Sequence, residues 1–296
     1  MTYAMTLEQL RIFVAVAERE HVTQAARDLN LAQSAASHAI AALEARHDTR
    51  LFDRVGRRIE LTEAGRAFLV EARTVLAQAE RAEQTLVEFG RLERGTLTVQ
   101  ASQTIAGYWL PRHIVAFRGA WPHIELRLAI GNTAEAVAAI EAGTAELGFV
   151  EGEVESDLLD TLQVARDQLI VVVGLSHPWV DHPPATAEEL TETDWVLREP
   201  GSGTRSAFQQ ALAAQGVAPE RLRVGLELPS NEAVRAAVEA GFGATAISAS
   251  VAAPALENGL LHHVPFRLPD RAFHLLRHRQ RHRSKIAQAF VALLVA

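Results

Sequence analysis

Cysteine is absent from the 296 residues, and lysine occurs once, at Lys285. Without cysteine there are no disulfides, no thiolate metal sites and no thiol-based sensing of oxidants. The other 28 basic residues are arginine; base composition explains that bias as simply as function does, although Arg suits bidentate binding of phosphate or carboxylate. Long apolar runs are also missing. "LIVVVGL" from Leu169 and "FVALLVA" from Phe290 fall far short of the roughly 20 residues that cross a bilayer. The first residues carry no basic start followed by an apolar stretch and a small-residue cleavage site, so a cytoplasmic protein without a membrane partner is expected. The net charge of −7 excludes a surface that is basic throughout.

What is present is globular in character, with 48% hydrophobic and 22% charged residues and a length that suggests about two domains. Leu7, Leu10, Phe13, Val14 and Ala17 recur at three-and-four spacing and predict a first helix. A second helix follows, with Thr23 as its expected N-cap, Ala25, Ala26 and Leu29 on its inner face and Asn30 as its stop. A third runs from about Gln33 to Arg46 and buries Ala36, Ile40, Leu43 and Ala39. Its outward edge is polar: Gln33, Ser34, Ser37 and His38. Two helices joined by so short a turn form a helix-turn-helix, whose second helix lays its N-terminal residues against base edges in the major groove. Next, Arg54, Arg57 and Arg58 flank Val55-Gly56 between two short extended pieces, as in a basic wing. The first 62 residues hold eight Arg and eight Asp or Glu, so positive charge is concentrated at the wing rather than abundant, and local charge is what neutralises phosphates.

Thr62 is a plausible cap for a long helix, since no glycine stands between Gly65 and Gly90 and no proline occurs before Pro111. Along it Phe68, Ala72, Val75, Ala79, Ala82, Leu86 and Phe89 alternate steps of four and three, a heptad seam that needs a partner helix. A self-associating linker is the expectation; a helix packed on its own domain is the alternative. From Gly95 the pattern alternates strand and helix, through "GTLTVQAS", "IELRLAIG", "AELGFVEG", "DQLIVVVG", "DWVLR", "RVGLEL" and "GATAIS", which implies two α/β lobes with largely parallel sheets.

Hydroxyls and amides gather at three strand-to-helix junctions: Ser102-Gln103-Thr104, Asn132-Thr133, and Gly201 followed by Ser202, Gly203, Thr204 and Arg205. Ser230, opening another helix, adds a further wall. In open α/β sheets ligands bind beyond the carboxyl ends of strands, where helix N-termini offer unpaired N–H groups to an anion. Each junction alone reads equally as a capped loop; three together favour a cleft. Glu199 and Glu151 oppose a purely anionic site unless Arg198 or Arg205 neutralises them. "GSGTR" lacks the Lys-Ser/Thr pair of a phosphate loop. The four-residue spacing of His274, His278 and His282 would suit a metal on a helix, but "FHLLRHRQRHRS" alternates as a strand does and its arginines repel cations; no metal and no cofactor is expected. No nucleophile motif appears, so no catalytic residue is assigned and the protein is not expected to be an enzyme. A solute-binding protein would explain only the two lobes, and a metabolic α/β enzyme would explain neither the wing nor the heptad helix.

Phe13, Gln24-Ala25-Ala26, Leu29, Gln33, Ser37, Leu43-Glu44, Leu51-Phe52, Arg54, Leu61-Thr62 and Ala64-Gly65 together resemble the N-terminal signature of LysR-type transcriptional regulators. The order of DNA-reading head, long helix and two lobes matches as well. The resemblance implies an α/β protein with an N-terminal all-α winged helix-turn-helix over residues 1–62, a linker helix over 63–93, and a two-lobed effector domain over 94–296 like periplasmic solute-binding proteins. Lobe 1 would take residues of about 94–165 and 269–296, and lobe 2 about 166–268. It further implies a homodimer or homotetramer that binds double-stranded DNA, responds to a small-molecule effector and has RNA polymerase as a possible partner. Ala32 stands where the family usually has a capping Ser, Ser34 where Pro is common, His38 where a basic residue is common and Asp48 where Gly is common, so base preferences do not transfer. "REPGSGTR" resembles one branch of the family and favours a small anion or an anionic metabolite as effector.

Overall fold

The computed structural model describes residues 5–55, 58–88 and 95–295, with the side chains of residues 55, 58 and 84–88 left aside. The chain divides into two compact units, Met1–Phe89 and Gly90–Ala296.

In the first unit, α1 spans Leu7–Arg19, α2 Val22–Asp28 and α3 Gln33–His47; the strands β1 (Phe52–Val55) and β2 (Arg58–Leu61) form an antiparallel hairpin, and α4 runs from Glu63 to Glu88. Thr6 and Gln9 close a reciprocal capping box on α1, which satisfies two of the amides a helix start leaves open. Thr23 does not cap α2. The helix begins two residues earlier than expected, and the ring nitrogen Nδ1 of His21 accepts from the Gln24 amide at 3.3 Å. Asn30 ends α2 in the left-handed conformation with φ 55°, and the amides of Asn30 and Leu31 bond back to Arg27 and Ala26, a Schellman stop. Asp48 ends α3 with φ 48°, a conformation that Asn and Asp tolerate better than most residues.

Phe13 is fully buried at the centre of this unit, its ring 5.5 Å from Phe52 of the wing and 4.8 Å from Phe68 of α4. One aromatic side chain therefore joins the first helix, the wing and the long helix. Ala72 is buried in the same core, with Leu69 and Leu76 packed against it. This corrects the heptad reading: Phe68 and Ala72 face their own domain, because α1 already supplies the partner helix over the first turns of α4. Val75 is 42% exposed, Ala79 is half-buried and Ala82 exposed. The Leu86 side chain and Phe89 lie outside the described residues.

The second unit holds two five-stranded sheets. Lobe 1 contains β3 (Gly95–Ser102), β4 (Ile124–Gly131), β5 (Leu147–Glu151), β6 (Leu159–Asp167) and β12 (Arg271–His278) in the order β4-β3-β5-β12-β6. Its helices are α5 (Leu110–Ala120), α6 (Thr133–Ala142) and α10 (Lys285–Val295); a π-helical turn over Ile105–Trp109 leads straight into α5, and Pro111, which has no N–H to donate, stands just after this change of hydrogen-bond register. Lobe 2 contains β7 (Leu169–Gly174), β8 (Asp194–Arg198), β9 (Arg223–Leu228), β10 (Ala244–Ser248) and β11 (Leu261–Val264) in the order β11-β7-β10-β8-β9, with α7 (Gly203–Ala214), α8 (Asn231–Glu239) and α9 (Ala249–Glu257). Neighbours β3, β4 and β5 run parallel, as do β8, β9 and β10, while β6, β7, β11 and β12 pair antiparallel.

Helices cover both faces of each sheet. On β7, Val171 and Val173 join the cluster around Trp195 and Phe208, whereas Ile170 and Val172 join the cluster of Val234, Val238 and Val251. That two-sided burial is why its sequence is a continuous apolar run rather than an alternating one. The chain crosses between lobes at Gln168, between β6 and β7, and again over residues 265–270, between β11 and β12. As expected, "FHLLRH" is a strand: His274 pairs with Gln163 and Val150 across β6 and β5, and its Nδ1 lies 2.6 Å from the Gly152 carbonyl, an acceptor that requires the ring to donate. Among the described residues no helix is long and apolar enough to cross a membrane.

Candidate nucleic-acid interface and effector site

In the first unit Ala36, Ile40 and Leu43 anchor α3 in the core, which turns its opposite edge outward. Gln33, Ser34 and His38 are exposed and Ser37 is half-buried, with the Gln33 amide donating to the Ser37 hydroxyl at 3.3 Å. Ala32 occupies the N-cap position and makes no side-chain cap bond, so the amides opening α3 lack a side-chain acceptor there. The angle between α3 and the wing is set by Glu44, whose carboxylate accepts from the amides of Leu51 at 2.7 Å and Phe52 at 3.2 Å. Thr62 caps α4, accepting from the Gly65 amide at 2.9 Å while its hydroxyl donates to the Arg50 carbonyl at 2.8 Å. Gly65 has no room for a side chain: a Cβ there would stand 2.1 Å from the Leu51 carbonyl oxygen. Arg54 is exposed on β1 and Thr23 half-buried in the first turn of α2. Arg57 and the Arg58 side chain lie outside the described residues.

In the second unit the predicted junctions converge between the lobes. Gln103 bridges them, donating to the Pro229 carbonyl at 3.1 Å and accepting from the Asn231 amide at 3.0 Å. Asn231 is fully buried; its Nδ2 donates to Thr104 Oγ1 at 3.0 Å and its Oδ1 accepts from Arg198 Nη1 at 2.8 Å. Arg198 also holds Glu199 with two parallel bonds, Nε to Oε2 at 2.7 Å and Nη2 to Oε1 at 2.8 Å. From the other lobe, Asn132 Nδ2 reaches Glu199 Oε1 at 3.3 Å, while Asn132 Oδ1 caps α6 by accepting from the Glu135 amide at 3.0 Å. Asn132 therefore acts both as a cap and as a cleft residue.

A second set of bonds centres on Arg271. Its Nε donates to Asp167 at 2.8 Å and its Nη1 to Thr204 Oγ1 at 2.9 Å; Ser248 donates to the other Asp167 oxygen at 2.7 Å. Glu151 lies 4.0 Å from Arg271 and 3.5 Å from the Thr133 hydroxyl. It also closes over the start of α7, since a Cβ on Gly203 would meet a Glu151 carboxylate oxygen at 2.9 Å. Ser102 and Ser202 are buried, and Ser102 Oγ has no hydrogen-bond partner among the described residues. Burial raises the affinity of Glu199 for a proton, but the bonds from Arg198, from its own backbone amide and from Asn132 outweigh it and hold this carboxyl below its usual range. It stays ionised at neutral pH.

Two residues expected at the effector site already make structural bonds. Arg205 is bonded to the Glu227 carboxylate and to the Arg198 carbonyl, which fastens α7 to β8 and β9. Ser230 caps α8, accepting from the Ala233 amide at 3.0 Å; its neighbour Asn231 faces the cleft instead. The principal omissions from the predicted site are Asn231, Asp167 and Arg271. Asp167 and Arg271 are distant in sequence and come together only through the antiparallel pairing of β6 with β12. Arg271 also lines a separate pocket of about 720 Å³ formed by residues 152–155, β6, α7 and the start of β12, with Gln163, Gln210 and His274 among its walls.

A helix-turn-helix head joined by a long helix to a hinged two-lobed domain, with polar groups converging between the lobes, defines a ligand-responsive DNA-binding regulator rather than an enzyme. Residues 7–66 match the lysR-family bacterial regulatory helix-turn-helix and residues 90–296 the LysR substrate binding domain. The chain belongs to the LysR family of transcriptional regulators. It is 32% identical over 96% of its length, and 86% of the relative's, to a probable RuBisCO transcriptional regulator of Trichormus variabilis. Its fold matches full-length CbnR, solved with its target DNA, at a TM-score of 0.71 and 24% identity, covering 98% of this chain and 99% of that one. The regulatory domain of CcmR from Synechocystis, solved with 2-PG, matches at a TM-score of 0.62 and 25% identity, covering 68% of this chain and 96% of that domain.

Proposed function

We propose that the interlobe cleft binds a small oxyanion or anionic metabolite, and that occupancy changes how paired DNA-reading heads engage an operator. The observation that carries this reading is the set of bonds between the lobes that ties Gln103 and Thr104 to Asn231 and Asn132 to Glu199 beside buried Arg198; Ser102, Thr133, Ser202, Gly203 and Thr204 belong to the same cleft in this proposal. Helix N-termini and a guanidinium favour an anion. The CcmR domain, solved with 2-PG, supports the same ligand class. Gln33, Ser34, Ser37 and His38 read bases, with Arg54 and its wing neighbours on phosphates, and Val75, Ala79 and Ala82 contribute to self-association along α4. On the same reading the protein works in the cytoplasm, where a DNA-binding regulator meets its operator.

Gel-shift titration on the intergenic fragment upstream of the protein's own gene tests the DNA half of the reading. Ser37→Ala is expected to weaken operator binding while sparing random-sequence DNA. Arg54→Ala is expected to weaken both and to flatten the salt dependence, since base contacts specify and phosphate contacts position. Equal losses on both DNAs for both variants contradict this division. Thermal shift with 2-phosphoglycolate, phosphate and sulfate tests the effector half, because a ligand of the native state raises its apparent stability; no shift with any anion refutes it.

A further inference from the structure

The cleft's cationic group is already engaged. The Arg198 side chain, 5% exposed, spends two of its five N–H donors on Glu199 and a third on Asn231, so its Nε–Nη2 fork is already occupied by a carboxylate. The Glu199 carboxylate presents two oxygens to Arg198 in the fork geometry that carboxylates and phosphates share, and one of these oxygens also accepts from Asn132 of the opposite lobe. It has the contacts that a bound oxyanion effector would have.

The two cleft glutamates differ in their freedom to leave. Glu151 is 3% exposed and closed over by α7, whereas the Glu199 side chain is 23% exposed and can rotate to solvent. Asn231 would meanwhile hold Arg198 in place from behind, with the Thr104 hydroxyl bracing Asn231.

Building on the anionic-effector reading, we infer that Glu199 is a resident counter-ion of the effector site, occupying Arg198 and Asn132 until an effector oxyanion displaces it. Displacement costs the effector the Arg198–Glu199 pair, so the site discriminates against weakly held anions. It admits ligands with two coplanar oxygens, carboxylate or phosphate-like, that restore both bonds to Arg198. It also removes the Asn132–Glu199 link between the lobes unless the ligand replaces it, which gives the two states of the cleft different interlobe contacts, the requirement for a ligand to shift their balance.

Isothermal titration of the full-length protein with 2-phosphoglycolate and with inorganic phosphate tests the inference on the wild type, Glu199→Gln and Glu199→Ala. Both variants keep the fold or reveal its loss in circular dichroism, and the alanine form serves if the glutamine amide retains a bond to Arg198. At least tenfold tighter binding by either folded variant is the expected result. Wild-type binding with equal or weaker binding by both folded variants overturns the resident counter-ion and leaves the anionic reading intact; a ligand seated in the pocket beside His274 would behave this way. If neither variant folds, Glu199 is a structural anchor and the inference also fails. Absence of binding by the wild type and both variants alike defeats the anionic reading itself.

Discussion

Ala32 leaves the start of the recognition helix without a side-chain cap, yet its backbone already has the extended φ and ψ of an N-cap, −69° and 140°. A serine there has only to present its oxygen to an amide of the first turn. Ala32→Ser is therefore expected to stabilise the DNA-binding unit by about 1 kcal/mol, read as a rise in its thermal midpoint; an unchanged or lower midpoint would show that those amides are already satisfied. His177 gives the opposite kind of residue-level dependence. Its Nδ1 accepts from the Trp179 amide at 3.1 Å and its Nε2 lies 2.9 Å from the Thr193 hydroxyl, an arrangement that needs the neutral ring. Burial lowers its pKa from the ordinary 6.5. A depressed histidine pKa means that the unfolded chain takes up the proton first, so the stabilisation is present above pH 6.5 and is lost as pH falls through that value towards the folded-state pKa. The gap in thermal midpoint between wild type and His177→Gln should narrow from pH 7.5 to pH 5; a constant gap would separate His177 from the acid response.

At the scale of elements, α4 performs two tasks along one length. Its first turns complete the core of the DNA-reading unit through Phe68, Ala72 and Leu76, while Val75, 42% exposed, and Ala82 point away from that core. Ala72→Glu buries an unpaired charge and is expected to unfold the head, at a cost of several kcal/mol in the range of about 3–5. Val75→Glu is expected to leave the head folded and shift the protein towards monomer in analytical ultracentrifugation. Dimers of unaltered affinity in a folded Val75→Glu protein would place self-association elsewhere. The heptad spacing could not distinguish these residues, because a helix presents the same periodicity to a partner chain and to its own domain. Only the position of Phe13, between Phe52 and Phe68, divides the stripe. Strands differed in legibility for a related reason: β7 shows as an apolar run because both its faces are covered, whereas the edge strand β6, "LDTLQVARD", alternates with polar residues and gave no recognisable signal.

In the molecule as a whole, the order of head, long helix and two lobes was legible from local pattern. The helix-turn-helix follows from apolar spacing and from the Asn30 stop, and the lobes from alternating strand and helix. These features are set within a few residues of one another by steric and hydrophobic periodicity, and the sequence by itself determined them. The groups that meet in the cleft were decided by the tertiary structure. Ser230 and Asn231 are equally plausible at a helix start, and it is the packing of α8 beside β8, which brings Arg198, and the approach of lobe 1, which brings Thr104, that engage Asn231 and leave Ser230 as a cap. Asp167 and Arg271 meet because the chain crosses between the lobes twice and its two crossing strands pair antiparallel, and no periodicity encodes a contact between residues so far apart in sequence. The charge state of the cleft has the same origin: whether Arg198 is free or held by Glu199 depends on distances of about 3 Å, which folding fixes and composition does not.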